Sequence, residues 1–572
     1  MKYNNKSNTG ANSASVKNGR VSALIAGTLM LLLFAHAGVI HAVQPPDAGR
    51  TSQELQARPP PPAKSMPHLD IEQPTRAPLA APAGLKIQVT GFRITGARLY
   101  PESELQALLQ GAVGRELGLA ELETEAARIT AYYRARGYPF ARAYLPAQDI
   151  KDGTVEINVL EGRYGKISIN NKTAVPDRLM SAALNDIQPD AVIAAASLER
   201  GLLLLSEIPG VEVKSTLTPG ASVGTADLVA EAVPGKRFSG SLDADNYGNR
   251  FTGEYRLGAS LNFANPTHLG DLLTLRALSS GDGLHYARLG WQAPLGGQGT
   301  RGGIAYSDMG YKLGRDFASL DAHGSARIGT AFVQHPFIRS RAANLYGQAS
   351  YDHKRLDDRI DTTATIAQKT LRNWTLVLNG DRRDDWLGGG VTSASIAWTT
   401  GKLGIDNAAA AAIDDTTARS AGRFDKYSLA ASRQQRLSDA TSLIISYNGQ
   451  FAGKNLDSAE KFSLGGAFGV RAYPQGEASA DEGHLLNLEL RHVLRETWQA
   501  VAFVDAGSAR INKIPWLADT NTRHLEGAGL GLNWASDGWS VNSVLAWKLG
   551  SAQPTSDKDR TPRFWLQAAR YF

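Results

Sequence analysis

Cysteine is absent from this chain of 572 residues. Its absence excludes disulfide bonds, thiolate metal sites and thiol nucleophiles, and it suits a protein that works in an oxidising compartment. A large excess of one charge is absent as well, because 61 basic residues stand against 55 acidic residues and the net charge is +6. The basic residues are scattered instead of following one helix, so we expect no nucleic acid as a partner.

Long apolar runs are missing too, with one exception near the N-terminus. Several basic residues precede the uncharged run 21–35, and the small residues Ala37 and Ala42 follow it. The run is shorter than the about 20 residues that a spanning helix needs, and its order of charge, apolar core and small residues is typical of a secretory signal peptide. We therefore predict a signal peptide at residues 1–42. Any later membrane crossing must use strands, because only helices and closed barrels satisfy their backbone hydrogen bonds in lipid.

The next segment, residues 43–84, is rich in proline. Residues 49–58 are compatible with one short helix, and Pro59 to Pro62 then follow one another. Prolines at this density favour an extended tether. We predict that the segment consists of a short helix followed by an extended linker.

Two segments beyond the linker repeat the same order of elements: strand, helix, helix, strand, strand. The first covers residues 85–162 and opens on a single predicted strand at 86–94, and the second covers residues 163–235. Their turns correspond, LPAQDIKDGTV in the first against LTPGASVGTADLV in the second. An internal repeat of about 75 residues predicts two βααββ modules in tandem. Such a module has a sheet edge that an extended polypeptide can join by strand addition. The alternative is a passive spacer.

From residue 236 to 572 helical periodicity disappears, and segments of about ten residues alternate apolar and polar side chains, as transmembrane barrel strands do. Leu486, Leu488 and Leu490, for example, alternate with Asn487 and Glu489. One face of each strand then meets lipid and the other a wet lumen. We count roughly sixteen such segments, which begin near residues 237, 253, 271, 284, 300, 322, 341, 369, 388, 423, 440, 484, 499, 524, 538 and 562.

The lengths of the connections depend on whether the preceding segment has an even or an odd number in chain order. Those after even-numbered segments are short, whereas those after odd-numbered segments include long ones at 401–422 and 453–483. Short periplasmic turns and long outer loops are expected of an outer-membrane barrel, and a soluble β-sandwich, the alternative, would not sort its loops in this way. The chain also ends on an aromatic residue, Phe572, as such barrels commonly do. The predicted fold is a transmembrane antiparallel β-barrel of about 16 strands, preceded by two periplasmic modules.

Two motifs in the barrel point to a specific mechanism. The longest outer loop contains LGGAFGVRAYPQGEASADEG at 464–483, and FVDAG follows on the next strand but one. Alternation places Phe503, Asp505 and Gly507 on one face, and Asp505 is predicted to point into the lumen because a carboxylate in lipid is costly. If the loop folds back into the barrel, Arg471 could offer its planar fork to that carboxylate. The alternative is an ordinary solvated loop arginine.

The loop motif resembles the VRGY or VRGF motif of the sixth outer loop in the polypeptide-transporting barrel superfamily, and it is carried by Gly465, Gly466, Val470, Arg471, Ala472 and Tyr473. FVDAG is similar to the F-x-D-x-G motif of the same superfamily. The stretches GYPFARAYLPAQDIKDGTVEINVLEG and IPGVEVKSTLTPG to GTADLVAEA extend the resemblance over nearly the whole mature chain. The chain looks like a two-partner secretion translocator of the haemolysin activator and secretion family, of ShlB, FhaC and HecB type. Ala472 departs from the usual Gly, and an alanine there requires an ordinary backbone angle or tolerates strain.

The resemblance implies that the modules are polypeptide-transport-associated (POTRA) domains, that the helix around Gly49 to Arg58 can plug the pore, and that loop 453–483 folds inward. It places the barrel in the outer membrane and the N-terminal domains in the periplasm. The implied partners are an unfolded cognate exoprotein of haemolysin or adhesin type, outer-membrane lipid and, during biogenesis, the barrel assembly machinery. The expected function is translocation of that exoprotein to the cell surface, driven by the cargo itself because no GxxxxGK phosphate loop is present.

Other functions fit the sequence less well. GASVG at 220–224 matches the GxSxG motif, but a strand is predicted next where a nucleophile elbow needs a helix. The glycines of GAGLGLNW, from Gly527 onward, alternate on a strand face and open no helix, and no HExxH is present. We therefore expect no enzyme, no cofactor and no metal. An outer-membrane assembly factor shares the loop motif but usually carries more modules, and a passive porin leaves two modules unexplained.

Overall fold

The computed structural model describes residues 45–55, the backbone of 68–71, and residues 86–518 and 520–572. The predicted signal peptide at 1–42 lies outside these residues, as does most of the linker. Helix α1 (Ala48–Glu54) comes first, and Asp47 caps its N-terminus by accepting a hydrogen bond from the Arg50 backbone N–H at 2.8 Å. Among the described residues, the helices are all too short or too polar to cross a membrane.

The core of the first module lies between its two helices and its strands. The elements are Lys86–Gln88 (β2), Gly91–Thr95 (β3), Glu102–Ala107 (α2), Glu116–Gly118 (β4), Leu119–Ala135 (α3), Arg142–Tyr144 (β5) and Thr154–Leu160 (β6). Helix α3 presents Leu122, Ala126, Ile129 and Tyr133 at helical spacing, all of them buried. The sheet has the order β3-β6-β5, with β2 paired separately to β4.

The single strand predicted at 86–94 was wrong, because the chain changes partners in its middle. Val89 donates its backbone N–H to the Arg115 carbonyl at 3.0 Å, whereas Thr90 donates to the Gly153 carbonyl at 2.9 Å. The residues before this point pair with β4, and those after it pair in parallel with β6. Alternation alone cannot reveal such a change of partner.

The second module repeats the predicted order, and it also contains a strand that the sequence did not predict. Its elements are Arg163–Asn171 (β7), Asp177–Ala183 (α4), Ala195–Ser206 (α5), Val211–Pro219 (β8) and Thr225–Pro234 (β9). Residues His68–Ile71 of the linker form β1, which pairs in parallel with β8, so that the sheet has the order β1-β8-β9-β7. The linker is therefore not an unpaired tether throughout. GASVG is the turn between β8 and β9.

The prediction of a sixteen-stranded antiparallel barrel is confirmed. The barrel closes by antiparallel pairing of β10 with β27, and the predicted strand starts fall close to the observed ones. The sixteen barrel strands are, in chain order, Phe238–Asp245 (β10), Arg256–Ala264 (β11), Leu272–Ser279 (β12), Leu284–Pro294 (β13), Arg301–Lys312 (β14), Ala322–Arg339 (β15), Ala343–Ile360 (β16), Thr365–Asp384 (β17), Gly390–Ile405 (β18), Gly422–Arg436 (β19), Thr441–Ala452 (β20), Glu482–Arg495 (β23), Trp498–Arg510 (β24), Thr522–Ser536 (β25), Trp539–Lys548 (β26) and Arg563–Tyr571 (β27). Two further strands, Phe462–Ser463 (β21) and Ser479–Ala480 (β22), pair with each other inside the loop between β20 and β23.

The two long outer loops differ from their predicted bounds. Strand β18 continues to Ile405, and the fifth outer loop then forms helix α6 (Ala408–Thr416). Asn407 caps this helix by accepting hydrogen bonds from the backbone N–H groups of Ala409 at 2.9 Å and Ala410 at 3.1 Å, and a run of alanines favours it. The sixth outer loop ends at residue 481, because β23 begins at Glu482.

The second module is joined to the periplasmic mouth of the barrel by ion pairs. Glu207, at the end of α5, lies 2.5 Å from Nε of Arg339 and 3.5 Å from Nη2 of Arg301. Glu199 of the same helix lies 3.1 Å from Nε of Arg341. The three arginines lie at the periplasmic ends of β14 and β15 or in the turn after β15. They hold the module against this part of the periplasmic rim.

Candidate functional site

The sixth outer loop folds back into the barrel, and its tip is held by an ion pair. Arg471, at the tip, donates to Asp505 of β24 three times: from its backbone N–H at 3.0 Å, from Nε at 2.9 Å and from Nη2 at 2.7 Å. Its remaining terminal nitrogen donates to Glu489 of β23 at 2.6 Å. Asp505 has no exposed surface. A planar fork on a carboxylate fixes direction as well as distance, so the loop tip has one orientation.

Neighbouring side chains support this pair from three directions. The guanidinium of Arg471 lies 3.5 Å from the centre of the Phe503 ring. Asn487 donates to Asp505 Oδ1 at 2.7 Å and to the Gly469 carbonyl at 3.2 Å, and Trp565 donates its indole N–H to the Arg471 carbonyl at 2.8 Å. The last strand of the barrel therefore also binds the loop tip.

Burial and the neighbouring carboxylates have opposite effects on the pKa of Arg471, and the effect of the carboxylates is the larger. Burial lowers the pKa of the Arg471 guanidinium, whereas Asp505 and Glu489 raise it, and the net shift is upward. The arginine therefore stays charged at any physiological pH. Sequence reasoning had paired Arg471 with Asp505 alone. The sequence signal for Glu489 and Asn487 is their place on the polar, lumen-facing side of the adjoining strand, and the structure places Asn487 directly opposite Asp505 in the register.

The other residues of the loop motif shape the turn. Val470 donates to the Leu464 carbonyl at 2.8 Å, Tyr473 donates to the Val470 carbonyl at 3.0 Å, and both side chains are buried. Gly466 has φ +112°, which a side chain rarely adopts. Gly507 on the barrel wall allows the loop to approach, because a Cβ there would lie 2.3 Å from Cδ1 of Leu464.

Helix α1 lies in the lumen against the sixth loop, where it packs on residues 457–460, which we call the loop stem. The backbone N–H of Ala48 donates to Asp358 of β16 at 2.7 Å, and Arg50 donates to the Gly476 carbonyl of the sixth loop. Gly49 packs so closely on the stem that a Cβ would lie 2.4 Å from Oγ of Ser458 and 2.6 Å from the backbone N of Ala459. The lumen therefore holds two elements in contact with each other.

Buried charges fix the loop stem to the wall. Glu460 lies 2.6 Å from Nζ of Lys354 and 2.8 Å from Nζ of Lys426, and Asp457 lies 2.8 Å from Nζ of Lys369. Burial acts to raise the pKa of Glu460, but the two ammonium groups outweigh it and lower the pKa to about 2. Within the part of the chain that the structure describes, no cluster of three or more His, Asp or Glu side chains could hold a metal ion.

A family model described as the haemolysin secretion/activation protein ShlB/FhaC/HecB matches residues 224–534. The chain belongs to this family. A second model, the ShlB-type POTRA domain, matches residues 87–162. Among curated proteins, the heme/hemopexin transporter protein HuxB of Haemophilus influenzae is 33% identical over 93% of this chain and 96% of its own length. The outer membrane transporter CdiB of Dickeya dadantii is 24% identical over 83% of this chain and 85% of its own length.

Solved structures share the fold. CdiB from Escherichia coli superposes with a TM-score of 0.69 at 21% identity, covering 96% of this chain and 98% of its own. BamA from Haemophilus ducreyi, lacking POTRA domains 1–3, superposes with a TM-score of 0.52 at 16% identity, covering 85% and 100%. The predicted family, fold and location are thus confirmed: this is an outer-membrane two-partner secretion transporter with periplasmic POTRA domains, which carries a cognate exoprotein to the cell surface. Family members are transporters.

Ala472, the departure from the usual glycine, has an ordinary backbone angle in this transporter, since it is not among the residues with positive φ. Its methyl group is buried against β25 at Gly527, where a Cβ would lie only 2.6 Å from that of Ala472. Gly527 opens the GAGLGLNW run that the sequence placed on a strand face. The missing side chain at 527 makes room for the methyl group at 472.

We expect Gly527→Ala to displace the loop tip and reduce export severalfold, because two methyl groups would occupy one space. The measure is secreted exoprotein per assembled barrel, with assembly followed by heat-modifiable migration. The matched control is the double variant Gly527→Ala with Ala472→Gly, which should restore export because only one methyl group remains. A double variant as poor as the single one would contradict this packing.

Proposed function

We propose that helix α1 and the sixth outer loop together close the pore between export events, and that the POTRA modules bind the unfolded exoprotein and deliver it to the lumen once both elements have moved. The observation that carries this proposal is the occupied lumen, in which α1 and the loop contact each other and the wall. Folding of the cargo outside the cell prevents its return, so that no nucleotide is required.

Helix α1 is held in a way that suits withdrawal. Its buried face is small and polar, with Thr51 and Ser52 beside Ala48 and Gly49. Nε of Arg50, Oγ1 of Thr51 and Oε1 of Glu54 are buried and have no hydrogen-bond partner among the residues that the structure describes. Burial also raises the pKa of Glu54, against the opposing charge of Arg50. Each unpaired polar atom costs about 1–3 kcal/mol, and this cost is relieved when the helix moves into the aqueous periplasm.

Strand addition is the proposed mode of cargo recognition. The sheet of the first module ends on the short strand β5, and the β8 edge of the second module already accepts an extended segment of the chain's own linker, β1. Main-chain hydrogen bonds along such an edge give affinity with little demand on sequence. An unfolded exoprotein has suitable segments throughout its length.

The cargo is proposed to be an exoprotein of haemolysin or adhesin type. Relatives are named as transporters, HuxB for heme/hemopexin and ShlB of Serratia marcescens for hemolysin. Outer-membrane lipid is the proposed environment of the exposed outer face, which includes Trp374, Leu376 and Leu530. The barrel assembly machinery is the proposed partner of the C-terminal strand during biogenesis.

The test is secretion of the cognate exoprotein, compared in wild-type, deletion and complemented strains. We expect export to stop on deletion and to return with the plasmid-borne chain, while the levels of other outer-membrane barrels stay unchanged. Unchanged export in the deletion strain would end the proposal. A general loss of barrels would instead favour the assembly factor of the same superfamily.

A further inference from the structure

The eighth outer loop, residues 549–562, surrounds one carboxylate of the sixth loop. Thr555 donates to Glu477 from its backbone N–H and from its hydroxyl, each at 2.8 Å, and Ser556 does the same, again at 2.8 Å for both groups. Arg523 of β25 adds a charge-assisted hydrogen bond at 2.6 Å. Glu477 has no exposed surface. Five donors on one buried carboxylate form a specific site for that side chain.

One further contact joins the two loops, and others hold the eighth loop to β25 and position Glu477 within the sixth loop. The hydroxyl of Tyr473 donates to the Ala552 carbonyl at 3.1 Å, and Nη2 of Arg523 donates to the Gln553 carbonyl at 2.7 Å. Gly465 of the loop motif donates to the Glu477 carbonyl at 3.0 Å, and a Cβ on Gly465 would lie 2.6 Å from Cβ of Glu477. The absence of a side chain at Gly465 therefore provides the space that the Glu477 side chain occupies.

The base of the sixth loop is fixed separately. Asp481 accepts hydrogen bonds from the backbone N–H of Leu456 at 3.0 Å, from Nζ of Lys461 at 2.7 Å and from the backbone N–H of Lys513 at 2.8 Å. Between this base and the Arg471 tip lies the returning arm of the loop, residues 474–480, which contains Glu477. Because the base is held, the tip cannot move far unless this arm leaves the eighth loop.

We propose that Glu477 is a positioning residue that fastens the eighth outer loop onto the sixth, and that this contact, the Glu477 latch, opens each time cargo passes. The latch rests on the proposed closing role of the sixth loop. Arg471 holds the loop to the inner wall, whereas Glu477 holds it to a loop at the cell surface. Arriving cargo must therefore break both contacts, one at each face of the returning arm.

The absence of native cysteine makes a crosslinking test clean, since engineered pairs have no competitors. We expect the double variant Glu477→Cys with Ser556→Cys to export cargo when reduced, to lose export on the order of tenfold or more when crosslinked by a short bifunctional thiol reagent, and to recover on cleavage of that reagent. The matched control is Lys548→Cys with Asp559→Cys, which joins an ion-paired position of the eighth loop to β26 and leaves the latch free. Its export should not change on crosslinking.

A second variant removes the latch without a crosslink. Glu477→Gln loses the charge and adds donors that face the N–H groups of Thr555 and Ser556, so we expect channel openings in planar bilayers to become on the order of tenfold more frequent. Normal export by the crosslinked latch pair, or unchanged openings in Glu477→Gln, would overturn the latch. Neither result would touch the proposed export function, which is tested separately by deletion of the whole chain.

Discussion

Arg471→Ala is expected to reduce export of the exoprotein on the order of a hundredfold while the barrel still assembles. The substitution leaves Asp505 without the cation of Arg471 in a position with no exposed surface, and it removes the side chain through which the loop tip binds both Asp505 and Glu489. Removing one partner of a buried ion pair costs about 3–5 kcal/mol, and each 1.4 kcal/mol is about tenfold in an equilibrium. Without this anchor we expect the loop tip not to return to one orientation after each passage, so that it adopts many positions in the lumen and obstructs the path of the next cargo molecule.

Asp505→Ala should have a similar effect, because the same pair is broken from the other side. The double variant Arg471→Ala with Asp505→Ala should export no worse than either single variant, since the two residues act as one unit. Secreted exoprotein per assembled barrel is the measure, and heat-modifiable migration reports assembly.

Arg491→Ala is the matched control for the loop anchor. Arg491 also pairs with Glu489, at 2.6 Å, but it is a wall residue on β23 whose guanidinium donates its hydrogen bonds to Glu489. Its loss should leave export near the wild-type level. Arg471→Lys should recover only part of the export, because a point charge cannot reproduce the bidentate fork. If Arg471→Ala and Asp505→Ala both secrete normally, the proposed role of the pair is wrong.

The barrel was predictable because its signals are local. Alternation of side chains along each strand marks the lipid face, as at Leu486, Leu488 and Leu490, which are exposed in the structure. The parity of the loop lengths then gives the sidedness. What escaped prediction depends on partners that are distant in sequence. Four linker residues, His68–Ile71, become a strand only because β8 offers them an edge.

The ion pair of the loop tip was predictable for a different reason. Asp505 faces the lumen by strand alternation and needs a cation, and Arg471 is the arginine that the loop motif supplies. Trp565 and Glu477 gave no such signal. Their roles arise from the closure of the barrel, which brings its last strand and its last loop against the sixth loop. The pattern of residues along the chain does not show which distant segments barrel closure brings into contact.

Gly49→Val is expected to drive helix α1 out of the lumen and to raise ion conductance in planar bilayers on the order of tenfold. A Cβ at this position would lie 2.4 Å from Oγ of Ser458 and 2.6 Å from the backbone N of Ala459. The loop stem cannot yield easily, because Asp457 accepts a hydrogen bond from the Ala459 N–H at 3.0 Å and Glu460 is fixed between two lysines. We therefore expect the added side chain to displace the helix and not the loop stem.

Gln53→Val on the same helix is the matched control. Gln53 is half-buried and outside the buried face that packs on the loop stem, and the substitution introduces the same β-branched side chain at this site. Conductance in this control should stay near the wild-type value, and export should be retained in both variants, since the helix has to leave the pore in any case. Equal conductance in Gly49→Val and the control would mean that the helix tolerates the added methyl groups within the pore. Loss of export in Gly49→Val with a fully assembled barrel would mean that α1 has a role beyond closure, because removal of a mere plug leaves the path of the cargo open.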